Sequence, residues 1–241
     1  MTTTLSVQEY IARQPKYEWR RRILRGLIRS IGFGVLAKAE IVGLENVPRS
    51  GPTILMMSHI SLIDPVVCIG AVTDRFVIPM TKIENAEDPL FGLLVKAYGA
   101  YTVRRGEVDR SALLNSIELL KSGQCILIAP EGTRNPTGLV KPKDGLSYVA
   151  TKSDAVIVPT AMSEAADFKD RWKHLKRANV RVTFGKPFRL KQLESRRIPR
   201  DVLAQMTEES MYQLAITQPD PTLRGVYSKI ENATSDYLDF L

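Results

Sequence analysis

The sequence predicts an α/β fold: a single mixed sheet of about seven strands flanked by helices, preceded by an N-terminal amphipathic helical segment. Three observations point there. From residue 39 onward, apolar runs of strand length alternate with helical patterns, as βα units require. A chain of 241 residues, 44% hydrophobic and 25% charged, is long enough and ordinary enough to bury one substantial core. Residues before 39 carry a different pattern, with arginines opposite large apolar side chains. The expected organisation is therefore 1–37 as an amphipathic, membrane-associating helical segment and 38–241 as the α/β domain with a helical C-terminal extension.

The segment Lys16 to Ala39 reads as one long helix, or two short ones broken near Gly32 and Gly34. On a helical wheel Trp19, Ile23, Leu24, Leu27, Ile28, Ile31 and Val35 share one half. Arg21, Arg22, Arg25 and Arg29 fall on the other, while Arg20 lies on the apolar side and can only snorkel. Such a helix suits the surface of an anionic membrane, or else packs on its own core with a solvated basic face.

The expected strands are Ala39–Val42, Thr53–Met57, Arg75–Pro79, Ala100–Val103, Gln124–Ala129, Ala155–Thr160 and Val180–Phe184. Helical patterns fill the gaps at Pro65–Val72, Pro89–Ala97 and Arg110–Lys121. The last is the clearest, with Leu113, Leu114, Ile117 and Leu120 on one side and Gly123 as a stop. Residues 143–152 and 200–215 complete the set, and the tail from Gln218, with Pro219 and Pro221, is mixed in character.

Several classes drop out early. Cys68 and Cys125 lie in apolar stretches without metal-ligand spacing, which predicts buried reduced thiols, no disulfide framework and no metal site. No signal peptide and no apolar run of spanning length is evident. The net charge is +8, and residues 1–40 hold eight Lys or Arg against three Glu, or +5. Basic charge serves nucleic acid, anionic lipid or an anionic substrate alike, but no nucleic-acid-binding motif occurs. Gly32-Phe33-Gly34-Val35-Leu36-Ala37 matches a dinucleotide fingerprint only formally, since no strand precedes it.

Four places could carry chemistry. His59 and Asp64, with four residues between them, follow the run Thr53–Met57, and a carboxylate that holds one imidazole nitrogen leaves the other free to take a proton. Taken alone the pair favours local architecture: Asp64 as an N-cap with Pro65 at the first helical position, or Ser61 and Asp64 as a capping box. Arg104 and Arg105, before Gly106, end an apolar run, where paired guanidiniums suit a phosphate or are simply solvated. Ile126–Pro130 runs into Glu131, Gly132, Thr133 and Arg134, delivering them to a loop at a strand's carboxyl end. Lys141 and Lys143 add positive charge nearby in sequence.

In order and spacing, His59-x4-Asp64, the Gly99…Arg104-Arg105-Gly106 block, Glu131-Gly132-Thr133-Arg134 and Val156-Ile157-Val158-Pro159 resemble the four blocks of the glycerolipid acyltransferases of the 1-acylglycerol-3-phosphate O-acyltransferase type. The resemblance covers roughly residues 39–190 and extends to Met80-Thr81-Lys82 and Pro89–Gly92 between the first two blocks. Ser58 departs from it, since many members carry Asn there. The resemblance implies transfer of a fatty acyl group from acyl-CoA or acyl carrier protein to the free hydroxyl of 1-acylglycerol 3-phosphate, with no other cofactor. Glycerol 3-phosphate or another lysolipid is the alternative acceptor, and a non-enzymatic basic membrane-binding module the remote alternative. His59 would be the general base and Asp64 its orienting carboxylate. Arg104, Arg134 and Lys82 would hold the acceptor's phosphate, with Arg104 preferred to Arg105 because successive strand residues point to opposite faces. Glu131 would orient an arginine or accept from a glycerol hydroxyl, beside Gly132 and Thr133. The implied partners are a lysophospholipid, an acyl thioester, an anionic membrane surface and acyl carrier protein, with no nucleic acid. The implied location is the cytoplasmic face of the cell membrane, peripheral or monotopic.

Overall fold

All five residues of β2 (Thr53–Met57) and all eight of β6 (Val156–Ser163) are buried, so both strands are covered on two faces. β7 (Ala178–Phe184) instead alternates, as a strand nearer an edge does. Alternation of side chains sorts the core into two layers: Ile54 and Met56 face one cluster, Leu55 and Met57 the other. The computed structural model describes residues 6–82, 91–103, 110–143, 145–164, 171, 173–174, 176–193 and 198–241.

The described strands form one sheet in the order β1 (Ala37–Val42), β7, β6, β2, β5 (Cys125–Ile128), β3 (Val77–Lys82) and β4 (Tyr101–Val103). Every pairing along that path is parallel except β6 with β7, so the sheet is mixed. All seven expected strands are present. Two more, β8 (Phe188–Leu190) and β9 (Leu238–Phe240), extend the sheet antiparallel from β6. Both have a charged residue at the centre, Arg189 and Asp239, so neither presents the uncharged run that marks β4 at the same length.

One face of the sheet is covered by α3 (Asp64–Ala71) and the segment before β1. The other is covered by α1 (Val7–Ala12), α5 (Arg110–Lys121), α6 (Leu146–Ser153) and α7 (Arg200–Thr217). The helix α4 (Phe91–Tyr98) leads into β4. Cys68 and Cys125 are buried free thiols, and burial raises the pKa of both. The expected helix Pro89–Ala97 is present from Phe91, and its first two residues lie outside the described residues.

Of the two forms expected for the N-terminal segment the single long helix holds: α2 (Gln14–Leu27) continues without a break as a π-helix over Ile28–Leu36, through Gly32 and Gly34, although Ala37–Ala39 is already strand. Its orientation departs from expectation, since three arginines of the basic half face the protein. Arg21, 1% exposed, donates from Nε to the Tyr98 carbonyl at 2.9 Å and from a terminal nitrogen to the Gly99 carbonyl at 3.0 Å. Arg25 donates to the Val72 and Arg75 carbonyls and Arg29 to that of Gly70. At spacing i, i+4, i+8 these three share one helix face. Their acceptors include the carboxyl ends of α4 and α3, where orphan carbonyls and the negative end of the helix dipole attract a cation. Trp19, Ile23, Leu27, Ile31 and Val35 are left 47–62% exposed. Of the remaining basic residues, Arg22 pairs with Glu18 at the surface and Arg20 stacks over Trp19.

Arg21 forms no ion pair with a described carboxylate; Gln14, Tyr10 and the rings of Tyr17, Phe76 and Tyr98 complete its surroundings. Its removal leaves the buried Tyr98 carbonyl unpartnered, at roughly 1–3 kcal/mol, leaves the Gly99 carbonyl with the Tyr10 hydroxyl alone, and forfeits the Gln14 and ring contacts. Arg21→Ala is therefore expected to lose about 3 kcal/mol of stability in chemical denaturation. A loss under about 1 kcal/mol would mean that the guanidinium does not hold α2 to the domain.

Candidate active site

Parallel pairing sets the site. Met56 of β2 lies opposite Ile128 of β5, and three residues beyond each come His59 and Glu131. Both therefore leave the same carboxyl edge of the sheet, where open α/β sheets hold their ligands.

The chain after β2 folds back on itself. His59 Nδ1 lies 3.1 Å from Asp64 Oδ2, and the same oxygen accepts the N–H groups of Ile60 and Ser61, both at 2.7 Å. An ionised carboxylate can only accept, so Nδ1 carries the ring proton and Nε2 has a free lone pair. The imidazole is 21% exposed and the carboxylate fully buried. A base with that access can meet a substrate while its partner cannot. Burial raises the Asp64 pKa, opposed by the bonds from His59, Ser61 and Ile60. Its second oxygen, Oδ1, has no hydrogen-bond partner among the described residues.

Neither capping reading holds in full. Asp64 is the first residue of α3 and not its N-cap, which is Ile63, and Pro65 takes the second helical position. Of the capping box only the reciprocal half forms, the carboxylate bond to the Ser61 N–H. The carboxylate serves the turn and the histidine rather than the helix.

Ser58, the departure from the family pattern, is buried and bonded on both sides. Its N–H donates to the Thr160 carbonyl at 3.1 Å, and its Oγ accepts the Met162 N–H at 2.8 Å. The hydroxyl thus seats the residue before His59 against β6.

The loop after β5 closes against the histidine. Asn135 donates its backbone N–H to the His59 carbonyl at 2.7 Å and its side-chain amide to Glu131 Oε2 at 3.2 Å. Glu131 Oε1 accepts the Val140 N–H at 3.3 Å. Glu131 is buried; desolvation raises its pKa, against the lowering effect of Asn135, Val140 and His59. Gly132 turns with φ +70°, and the Lys143 stem lies so close that a Cβ there would sit 2.9 Å from it. The Lys143 N–H donates to the Pro130 carbonyl at 2.9 Å, which pins that lysine beside the turn. Thr133 and Arg134 are exposed, and Arg134 forms no ion pair with a described residue.

The structure thus brings together His59, Asp64, Glu131, Gly132, Thr133 and Arg134. Lys82 is the last residue of β3, paired with Val103 at the end of β4, and only its backbone is described. Arg104 and Arg105 lie outside the described residues. Asn135 was invisible to sequence reasoning, because an asparagine four residues past Glu131 carries no signal until the loop is folded. Lys143 had been legible only as nearby charge. Among the described residues no cluster of His, Cys, Asp or Glu could hold a metal ion.

A model of the acyltransferase family matches residues 38–163, just over half of the chain. The 1-acyl-sn-glycerol-3-phosphate acyltransferase of Borreliella burgdorferi is 29% identical over 134 residues, 54% of this chain and 53% of that one. The enzyme of the same name from Bacillus subtilis is 26% identical over 170 residues, 70% of this chain and 82% of that one. The chain thus spans about half the length of the first of these relatives and most of the second. In fold it is similar to the crystal structure of the 1-acyl-sn-glycerophosphate (LPA) acyltransferase PlsC from Thermotoga maritima, with TM-score 0.62 and 20% identity over 92% of this chain and 84% of that one.

A carboxyl group whose pKa is raised by folding favours the native state below its ordinary range, and that advantage is lost as pH rises through the raised value. Asp64→Asn removes this loss. The stability of the variant relative to the wild type should therefore climb as pH rises above about 4, the ordinary carboxyl range, in denaturation curves. A difference that stays flat with pH would contradict the net cost of the buried charge.

Proposed function

The chain belongs to the acyltransferase family, and we propose that it moves a fatty acyl group from a thioester, on CoA or acyl carrier protein, to the free hydroxyl of 1-acylglycerol 3-phosphate, making phosphatidic acid. The observation that carries this reading is the partly exposed imidazole fixed through Nδ1 by a buried carboxylate, on the same sheet edge as a loop whose Arg134 forms no ion pair among the described residues.

At neutral pH an alcohol is a poor nucleophile. His59 Nε2 takes the hydroxyl proton as the oxygen attacks the thioester carbonyl, and Asp64 stabilises the imidazolium that forms. Collapse of the tetrahedral intermediate breaks the carbon–sulfur bond, and the imidazolium returns its proton to the departing thiolate. The substrate supplies the nucleophile, so no covalent enzyme intermediate is required. Ser61, whose N–H is committed to Asp64, has a structural role.

Arg134 and Lys143 supply charge for the acceptor's phosphate, with Arg104, Arg105 and Lys82 as further contributors from the ends of β4 and β3. Glu131 is held by Asn135 and Val140 and faces the histidine, which suits it to a glycerol hydroxyl better than to the phosphate.

No helix among the described residues is long and apolar enough to cross a membrane. A lipid substrate nevertheless needs a lipid surface, and the outward stripe Trp19, Ile23, Leu27, Ile31 and Val35 offers one. Because Arg21, Arg25 and Arg29 are committed to carbonyls, docking rests on apolar insertion more than on charge. Burying an aliphatic side chain contributes roughly 1.5–3 kcal/mol, against about 1 kcal/mol per basic residue near an anionic surface. The site would then work on the cytoplasmic leaflet, with the protein monotopic.

With acyl-CoA and a panel of lysolipids, His59→Ala should lower turnover roughly 10²–10⁴-fold. Arg134→Ala should raise the KM for a phosphorylated acceptor about tenfold or more while leaving that for the donor unchanged. Equal turnover of a neutral lysolipid, or an unmoved acceptor KM, would assign the loop another role.

Replacing Trp19, Ile23 and Leu27 together by Ser should free the protein from both neutral and anionic vesicles in a flotation assay without unfolding it. Persistent binding would put the membrane contact elsewhere. Point changes are the proper test, because Val7, Tyr10 and Arg21 are built into the core and truncation would remove them.

A further inference from the structure

We infer that the C-terminal segment Gln218–Tyr227, outside the family match, is a working part of the active site that positions His59 and the Glu131–Val140 loop from behind. Its kinetic consequence rests on the acyl-transfer reading; its contacts do not.

Two hydrogen-bonded routes run from this segment to the histidine. Gln218, 1% exposed, donates its side-chain amide to the Met162 carbonyl at 2.9 Å. The Met162 N–H in turn donates to Ser58 Oγ at 2.8 Å, next to His59 in the chain. The second route runs through Leu139, a buried residue of the site loop. Its N–H donates to the Leu223 carbonyl at 3.1 Å and its carbonyl accepts the Val226 N–H at 3.0 Å. Both backbone groups of Leu139 are therefore spent on the tail. Its neighbours hold the site: Gly138 donates to the Asn135 carbonyl, Asn135 donates to the His59 carbonyl, and Val140 donates to Glu131.

Gly225 makes the contact possible. Its φ of +53° and ψ of −126° suit glycine alone, and a Cβ there would stand 2.0 Å from the Leu139 carbonyl oxygen. The tail and the site loop meet backbone to backbone, without the play that side chains allow. A general base must be held within a fraction of an ångström of its target, and displacement by about 1 Å can cost 10²-fold in rate. A clamp two backbone bonds wide on the loop that abuts His59 acts on that scale.

The test compares Gly225→Ala with Gly123→Ala in the full chain. Gly123 also has a positive φ, +81°, but nothing within 4 Å of its Cβ position, so alanine there meets a left-handed backbone without the collision. Gly225→Ala should speed hydrogen exchange at the Asn135 and Leu139 amides and lower kcat/KM for 1-acylglycerol 3-phosphate at least tenfold. Gly123→Ala should do neither. Wild-type exchange at those amides in Gly225→Ala, or a kinetic loss equalled by Gly123→Ala, would overturn the inference. Should Gly225→Ala fail to fold, Gln218→Met replaces it: the donor to Met162 is deleted at similar length, kcat is expected to fall, and an unchanged kcat would sink the inference. A wild-type protein that turns over no lysolipid would sink the acyl-transfer reading alone, since the exchange comparison is made without substrate.

Discussion

An ionised carboxylate with no exposed surface must be held by donors, and Asp64 gathers three of them on one oxygen. Two come from the backbone of the turn it follows, so that a single side chain fixes both the path from β2 into α3 and the orientation of the imidazole. The other oxygen has no partner among the described residues, and burial outweighs the three bonds, leaving the group with a raised pKa. Three donors alone would have driven it the other way. The imbalance suits the role proposed for His59, a base that becomes cationic in the transition state. A carboxylate poorly solvated by its surroundings gains most when the imidazolium forms beside it.

The same buried turn depends on the sheet beneath it. Parallel register between β2 and β5 brings Ser58-His59 and Pro130-Glu131 out at one level, and β6 on the other side of β2 reaches Ser58 through Met162. The site is therefore a product of three adjacent central strands, each buried or nearly so along its length. A loop built on such strands inherits their rigidity.

Much of this was legible in the sequence. The seven strands from β1 to β7, the five helices from Pro65 onward and the blocks at His59–Asp64 and Glu131–Arg134 are marked by apolar runs, periodicity and order. What escaped has a physical reason in each case. β8 and β9 are each interrupted by a charge, Arg189 and Asp239, and Leu139 looks like any apolar residue until the tail folds over it. The N-terminal helix is the more instructive case. A helical wheel separates Trp19, Ile23, Leu27, Ile31 and Val35 from Arg21, Arg25 and Arg29, but it misplaces Leu24 and Ile28, which pack on the core, and is silent on which side meets the protein. The usual assumption that arginines face water fails here, because α3 and α4 end beneath the helix with carbonyls that need donors. Arg21, Arg25 and Arg29 supply them at successive turns beside Leu24 and Ile28, which pack on the core, and the stripe Trp19, Ile23, Leu27, Ile31 and Val35 is turned outward as a consequence.

That inversion and the C-terminal clamp share a logic. In both, a segment outside the family match is tied to the matched core through backbone carbonyls and amides: Tyr98, Gly99 and Gly70 at one end, Leu139 and Met162 at the other. Contacts of this kind need only the main-chain path of the core, which a fold preserves while its side chains change. They also bear on places that matter: Gly99 precedes β4 and the arginine block, and Leu139 lies between Asn135 and Glu131's partner Val140. The core that carries His59 is thus held at one end by the helix with the exposed apolar stripe and at the other by the segment bonded to Leu139 and Met162.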